Sequence, residues 1–191
     1  MNILNYLEII QVQRHDFLNH LQVISGLLQL NKVERVREYI NQVGLEIAHA
    51  SKTSRVKIPE VSLALLYCLN EAAKYQVEVE LTVNSDFSAC GAPGSVIGQA
   101  IEQLVDCALD TIFSPEVARR RLEIVFNETD KKYNCRLLFP EPVQSDLRRF
   151  ENRLASVGEL VSPHGGRVNM AIANSGIEIF LIFPRKDVKA G

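Results

Sequence analysis

The stretch RHDFLNHL, residues 14–21, sets a polar cluster around His15 inside an otherwise apolar repeat. Working outward from it, Leu7, Ile10, Phe17, Leu21, Ile24 and Leu28 recur at spacings of three and four, with Arg14 in the one slot that lacks an apolar residue. That is the stripe of a helix packed in a bundle. Val33, Val36, Ile40, Val43, Ile47 and Ala50 repeat the pattern after Leu30-Asn31-Lys32, a connection short enough only for a tight reversal. Two helices so joined lie antiparallel. The pattern predicts a helical hairpin, about residues 2–30 and 33–54.

Each helix of such a hairpin has one partner of its own, and burying the remaining apolar surface calls for a second copy and a dimeric four-helix bundle. His15 falls one residue off the stripe and is expected to face outward, with Leu18, Asn19 and Gln22 on the same face. A neutral imidazole has a lone pair at working pH, and the neighbouring Asp16 carboxylate can orient it. Taken alone, a helical histidine is ordinary surface, Arg14 a side chain reaching from the seam to water, and Asp16 a balancing charge.

The wider run decides between these readings. RHDFLNHLQVISGLLQL, residues 14–30, followed by VERVREYINQV, residues 33–43, resembles the phosphoacceptor hairpin of the sporulation initiation phosphotransferase B family. It is also similar to the hairpin of citrate/C4-dicarboxylate-type sensor histidine kinases. The resemblance covers about 45 residues and implies that His15 carries a phosphoryl group, with Asp16 and Asn19 matching the acidic residue and the Asn of the motif.

Composition bounds the rest. The chain has 191 residues, a net charge of −2 and a pI near 6.1, with no basic nucleic-acid footprint or polybasic membrane patch. Cys68, Cys90, Cys107 and Cys135 are scattered without CxxC or Cys-His spacing, which argues against a disulfide frame or a zinc site. No apolar run reaches membrane-spanning length and the N-terminus lacks a leader pattern. A cytoplasmic protein is expected, whose first helix begins too near Met1 to leave room for a sensor domain.

The heptads stop around Ser51–Pro59, giving an expected division into residues 1–54, for phosphoacceptance and dimerisation, and residues 55–191. The second part reads as a helix from Pro59 to about Tyr75 along Val61, Leu65, Leu66, Leu69 and Ala73, a strand Val77–Val83 and a helix 95–113. Strands follow at about Leu122–Phe126 and Asn134–Phe139, then a helix from about Ser145 to Val161. A hairpin of Arg167–Ala173 and Ile177–Phe183, turned at Asn174-Ser175-Gly176, closes the chain. Helices against one mainly antiparallel sheet make an α+β sandwich.

This part resembles, weakly but over its whole length, the ATP-binding domain of histidine kinases, best in LVSPHGGRVNMAIANSGIEIFLIFP, residues 160–184. The resemblance puts Gln103 and Cys107 where that family has the Asn residues that chelate Mg²⁺, and an amide followed by a thiol is a poor ligand set for a hard cation. Pro140-Glu141-Pro142-Val143 stands in place of the adenine-reading Asp-x-Gly-x-Gly run, and Arg148–Arg153 in place of a second Gly-rich loop. Gly165-Gly166 alone survives, and reads equally as a helix C-cap leading into a strand. A degenerate ATP-binding fold with no cofactor of its own is expected.

The resemblance then implies a homodimeric phosphorelay phosphotransferase. Its partners would be the receiver domains of a donor and an acceptor response regulator, each supplying its own Mg²⁺. Arg14 would offset phosphate charge, Asp16 orient the ring, and Leu18, Asn19 and Gln22 meet the regulator. The alternatives are a sensor-less histidine kinase autophosphorylating His15, a non-catalytic dimeric protein that binds a regulator, and a regulator phosphatase using Asn19. His20 is expected to have a structural or surface role.

Overall fold

A computed structural model describes residues 3–113, 117, 120–140, 147–173 and 176–186. The expected helix starts at residues 2 and 145 and the Asn174-Ser175 turn lie outside them. The chain divides into two compact units, residues 2–52 and residues 53–191 together with Met1.

The first unit is a helical hairpin of α1 (Ile3–Gln29) and α2 (Val33–Ala50). Asn31 makes the reversal by adopting the left-handed conformation, φ 57°, which Asn tolerates better than most residues. Lys32 N–H donates to the Leu27 carbonyl and Asn31 N–H to that of Leu28, both at 2.9 Å, so the last carbonyls of α1 are paired in a Schellman motif. Of the anticipated stripes, Ile24, Val36, Val43 and Ala50 are buried or half-buried. Leu7 (50% exposed), Ile10 (61%), Phe17 (61%), Leu21 (47%) and Leu28 (51%) stay open, as do Val33, Ile40 and Ile47. The covered side of α1 runs instead along Ile9, Val12, His20, Ile24 and Leu27. His20 Nδ1 lies 3.0 Å from the Tyr39 hydroxyl, tying α1 to α2.

A 3₁₀ turn, Ser51–Arg55, follows. The second unit begins with α3 (Pro59–Lys74), which has Pro at its first position and Glu60 in its first turn, both suited to a helix start. Its buried face is Val61, Ala64, Leu65, Cys68 and Ala72, a narrower line than the spacing of Leu66, Leu69 and Ala73 suggests. Then come β1 (Glu78–Val83), α4 (Gly94–Ile112), β2 (Arg121–Glu128), β3 (Lys132–Phe139), α5 (Leu147–Val161), β4 (Arg167–Ala173) and β5 (Gly176–Pro184).

The sheet order is β1-β2-β3-β5-β4, with β1 and β2 parallel and the other neighbours antiparallel. A parallel pair needs a crossover, and α4 lies within it. Strict alternation sends Tyr133, Cys135, Leu137 and Phe139 of β3, and Ile177, Ile179, Leu181 and Phe183 of β5, into the core. On the sheet's other face Arg136 bridges Glu123 (2.5 Å) and Glu178 (3.1 Å), and Arg121 pairs with Glu80. α4 packs against both α3 and α5, which is why its buried set, from Ile97 to Ile112, spans more than one face. At Gly98 a Cβ would meet the Glu60 carbonyl oxygen at 2.9 Å, so the backbones of α3 and α4 approach too closely for a side chain.

Candidate functional site

His15 lies midway along α1, and its flanking side chains follow from helical spacing. About 100° per residue puts Gln11, His15, Leu18, Asn19 and Gln22 on one face, and all five are exposed. That face is roughly a third of a turn from both the covered side of α1 and the open apolar line. The His15 side chain is 74% exposed and Asp16 58%.

Two groups meet the same ring nitrogen. Asn19 Nδ2 is 3.1 Å from His15 Nδ1, and Asp16 Oδ1 is 3.5 Å from it. Among the described residues nothing meets Nε2. The two contacts favour opposite tautomers. An Asn19 N–H donating to Nδ1 leaves the ring proton on Nε2. The Asp16 carboxylate, or the Asn19 amide turned to present its oxygen, favours Nδ1–H and leaves the Nε2 lone pair facing solvent. The orientation of this one amide therefore goes with the tautomer the ring holds. The cost of turning it is low, because an exposed hydrogen bond is worth about 1 kcal/mol.

Arg14 is exposed and unpaired among the described residues, and it lies in the open apolar line rather than on the His15 face. His20 is turned toward Tyr39 and does not share the His15 cluster.

A second polar feature lies between α4 and α5: a cleft of about 310 Å³ lined by Gln103, Asp106, Arg153 and Ser156. Arg153 of α5 reaches Asp110 of α4 at 2.7 Å. Burial, and then the charges of Glu71 and Asp110, push the Asp106 carboxyl above its ordinary pKa, against the pull of Arg153. Nothing in the sequence pairs Arg153 with Asp110, which are 43 residues apart. Their meeting follows only from packing α5 on α4. Cys107 is 3% exposed, and a buried thiol is a poor ligand for Mg²⁺. Two carboxylates against one guanidinium also repel a triphosphate. Among the described residues no group of three or more His, Cys, Asp or Glu is placed to hold a metal.

Residues 1–56 match the family described as Sensor kinase SpoOB-type, alpha-helical domain. The resemblance read from the Arg14–Val43 run therefore holds for the hairpin. Sporulation initiation phosphotransferase B of Bacillus subtilis is 42% identical over 53 residues, 28% of each chain. The sensor protein CitS of Halalkalibacterium halodurans is 26% identical over 132 residues, 66% of this chain and 24% of that one. The chain thus spans about a quarter of the length of these relatives.

Among solved structures, the catalytic domain of histidine kinase ThkA has a TM-score of 0.54 at 11% identity, covering 67% of this chain and 92% of its own. Acinetobacter baumannii histidine kinase AdeS has a TM-score of 0.53 at 14% identity, covering 91% and 98%. ThkA in complex with the response regulator TrrA has a TM-score of 0.54 at 13% identity, covering 95% and 62%. At such identities the likeness is one of fold. The N-terminal helical region is of SpoOB type, and the C-terminal mixed sheet with its helices has the fold of histidine-kinase catalytic domains. No described helix is long and apolar enough to cross a membrane.

Proposed function

We propose that the chain is a cytoplasmic histidine phosphotransferase of a phosphorelay, with residues 1–54 as phosphoacceptor and dimerisation domain and residues 55–191 as a degenerate ATPase-fold domain. The observation that carries this reading is the exposed His15 ring, with Asp16 and Asn19 at Nδ1 and Nε2 open to a partner.

In the donor step the His15 Nε2 lone pair attacks the phosphorus of an aspartyl phosphate on a receiver domain. The N–P bond forms as the P–O bond to the aspartate breaks, and the carboxylate leaves with the bonding pair. Nδ1 keeps its proton, and Asp16 stabilises the positive ring. In the second step the carboxylate of another receiver attacks phospho-His15 and the ring leaves neutral. Acyl phosphate and phosphohistidine are both labile, so catalysis is chiefly positioning and charge neutralisation. The receivers supply Mg²⁺ from their own acidic pockets. Leu18, Asn19 and Gln22 form the docking contacts, and Arg14 offsets phosphoryl charge.

The open apolar lines support a homodimer. Leu7, Ile10, Phe17, Leu21 and Leu28 of α1 lie on the same side of the hairpin as Val33, Ile40 and Ile47 of α2. Covering the exposed half of each such side chain is worth about 1 kcal/mol. Two copies together then reach the upper end of an association cost of about 4–15 kcal/mol.

The test is transfer from a phosphorylated receiver domain to the wild-type protein and to His15→Gln. The reading expects label on the wild type and none on the variant. Equal labelling of both contradicts it, and labelling from ATP alone favours the kinase.

A further inference from the structure

Arg14 occupies a position where the fold calls for an apolar residue. It stands between Ile10 and Phe17 in the open line of α1, and it has no carboxylate partner among the described residues. None of the described carboxylates lies on that side of the hairpin either. Asp16 sits beside His15, Glu34 pairs with Arg37 at 3.1 Å, and Glu46 accepts from Gln42 at 3.0 Å. These three and Glu38 lie about a third of a turn or more from the apolar lines of their helices.

A two-fold interface presents the same patch from both copies. A second copy laid on this face therefore surrounds Arg14 with Leu, Ile and Phe and brings no counter-charge. Enclosing an unpaired cation is costly, and an apolar residue of similar volume avoids that cost. The nearest place for an anion is His15, the next residue, whose face is about 100° away around the helix. The Arg stem is long and flexible enough to lean toward that rim, and its planar fork suits phosphoryl oxygens.

We propose that Arg14 is the counter-charge of phospho-His15 held in the dimer seam, so that phosphorylation of His15 and dimerisation strengthen each other. The inference rests on the proposed function for both the phosphoryl group and the second copy. Linkage makes it reciprocal: the factor by which phosphorylation tightens the dimer is the factor by which dimerisation favours phosphoryl uptake.

The experiment measures the dimer dissociation constant of the full chain by sedimentation, before and after phosphorylation by a receiver domain, in the wild type, Arg14→Leu and Arg14→Lys. Phosphorylation is expected to tighten the wild-type dimer by on the order of tenfold, a usual size for such coupling. Arg14→Leu is expected to dimerise more tightly than the unphosphorylated wild type, to lose the response to phosphorylation and to hold less label at equilibrium. Arg14→Lys keeps the response at reduced size. A wild-type dimer that takes label but dissociates equally in both states overturns this inference alone, as does Arg14→Leu loosening the dimer. A wild type that takes no label, or is monomeric at every concentration, overturns the proposed function and this inference with it.

Discussion

Two neighbours of His15 meet the same ring nitrogen. Asn19 Nδ2 is 3.1 Å from Nδ1 and Asp16 Oδ1 is 3.5 Å from it. Asn19→Ala removes the amide whose oxygen, turned toward Nδ1, accepts from Nδ1–H and leaves the Nε2 lone pair free for attack. Transfer from a phosphorylated receiver is expected to slow by about fivefold to tenfold, the size of one hydrogen bond. The thermal midpoint should not move, and a drop in the midpoint would mean that Asn19 is structural. The α4–α5 cleft gives a pH prediction. Asp106 and Glu102 both have raised pKa values, chiefly through burial. The folded state therefore holds their protons more tightly than the unfolded chain does, and their charged forms oppose folding. Stability from these two groups is complete below the ordinary carboxylate range, near pH 4, and is lost as pH rises through the raised values. Asp106→Asn is expected to raise the unfolding midpoint at pH 7 and flatten its fall above about pH 4. A lower midpoint at pH 7 would contradict this account of the cleft.

The helices and strands of this chain were legible wherever one apolar period ran unbroken. The expected strands Asn134–Phe139 and Ile177–Phe183 fall within β3 and β5, along which buried and half-exposed residues alternate. The covered side of α1 was not legible, because Asp16 and His20 interrupt the line of Ile9, Val12, Ile24 and Leu27. The more regular line of Leu7 to Leu28 drew the reading instead, and its residues are mostly open. The parallel pairing of β1 with β2 was equally hidden, since it depends on the α4 crossover rather than on either strand. The His15 cluster was legible because it lies within five residues of one helix. The Arg153–Asp110 pair joins distant helices and left no local trace.

Two substitutions test the elements. Gly44 lies inside α2 with nothing within 4 Å of an added Cβ, so Gly44→Ala should stabilise the hairpin by about 0.5–1 kcal/mol through helix propensity. Loss of helicity by circular dichroism would contradict that. Gly176, at φ 128°, would put a Cβ 2.1 Å from the Phe139 carbonyl oxygen. Gly176→Ala should cost more than about 2 kcal/mol in denaturant unfolding, because strain and a backbone clash act together. An unchanged midpoint would show that β5 can shift away from β3.

At the scale of the whole molecule, the chain has two compact units: a hairpin that carries the exposed His15 imidazole, and a sheet-and-helix unit in which Arg153 of α5 pairs with Asp110 of α4. The open apolar side of the hairpin belongs to this scale as well. Ile10→Asp places a charge in that line, and it is expected to shift the full chain toward monomer in sedimentation while leaving the second unit's unfolding midpoint in place. A wild type already monomeric at high concentration would contradict the dimer. The central claim is that His15 receives its phosphoryl group from a receiver domain and not from ATP. The measurement that tests it most directly incubates the purified chain with radiolabelled ATP alone and, separately, with a receiver domain carrying labelled aspartyl phosphate. The account predicts label only in the second incubation, in an acid-labile, alkali-stable bond that His15→Gln abolishes. Label from ATP alone, or label from the receiver that survives His15→Gln, would contradict it.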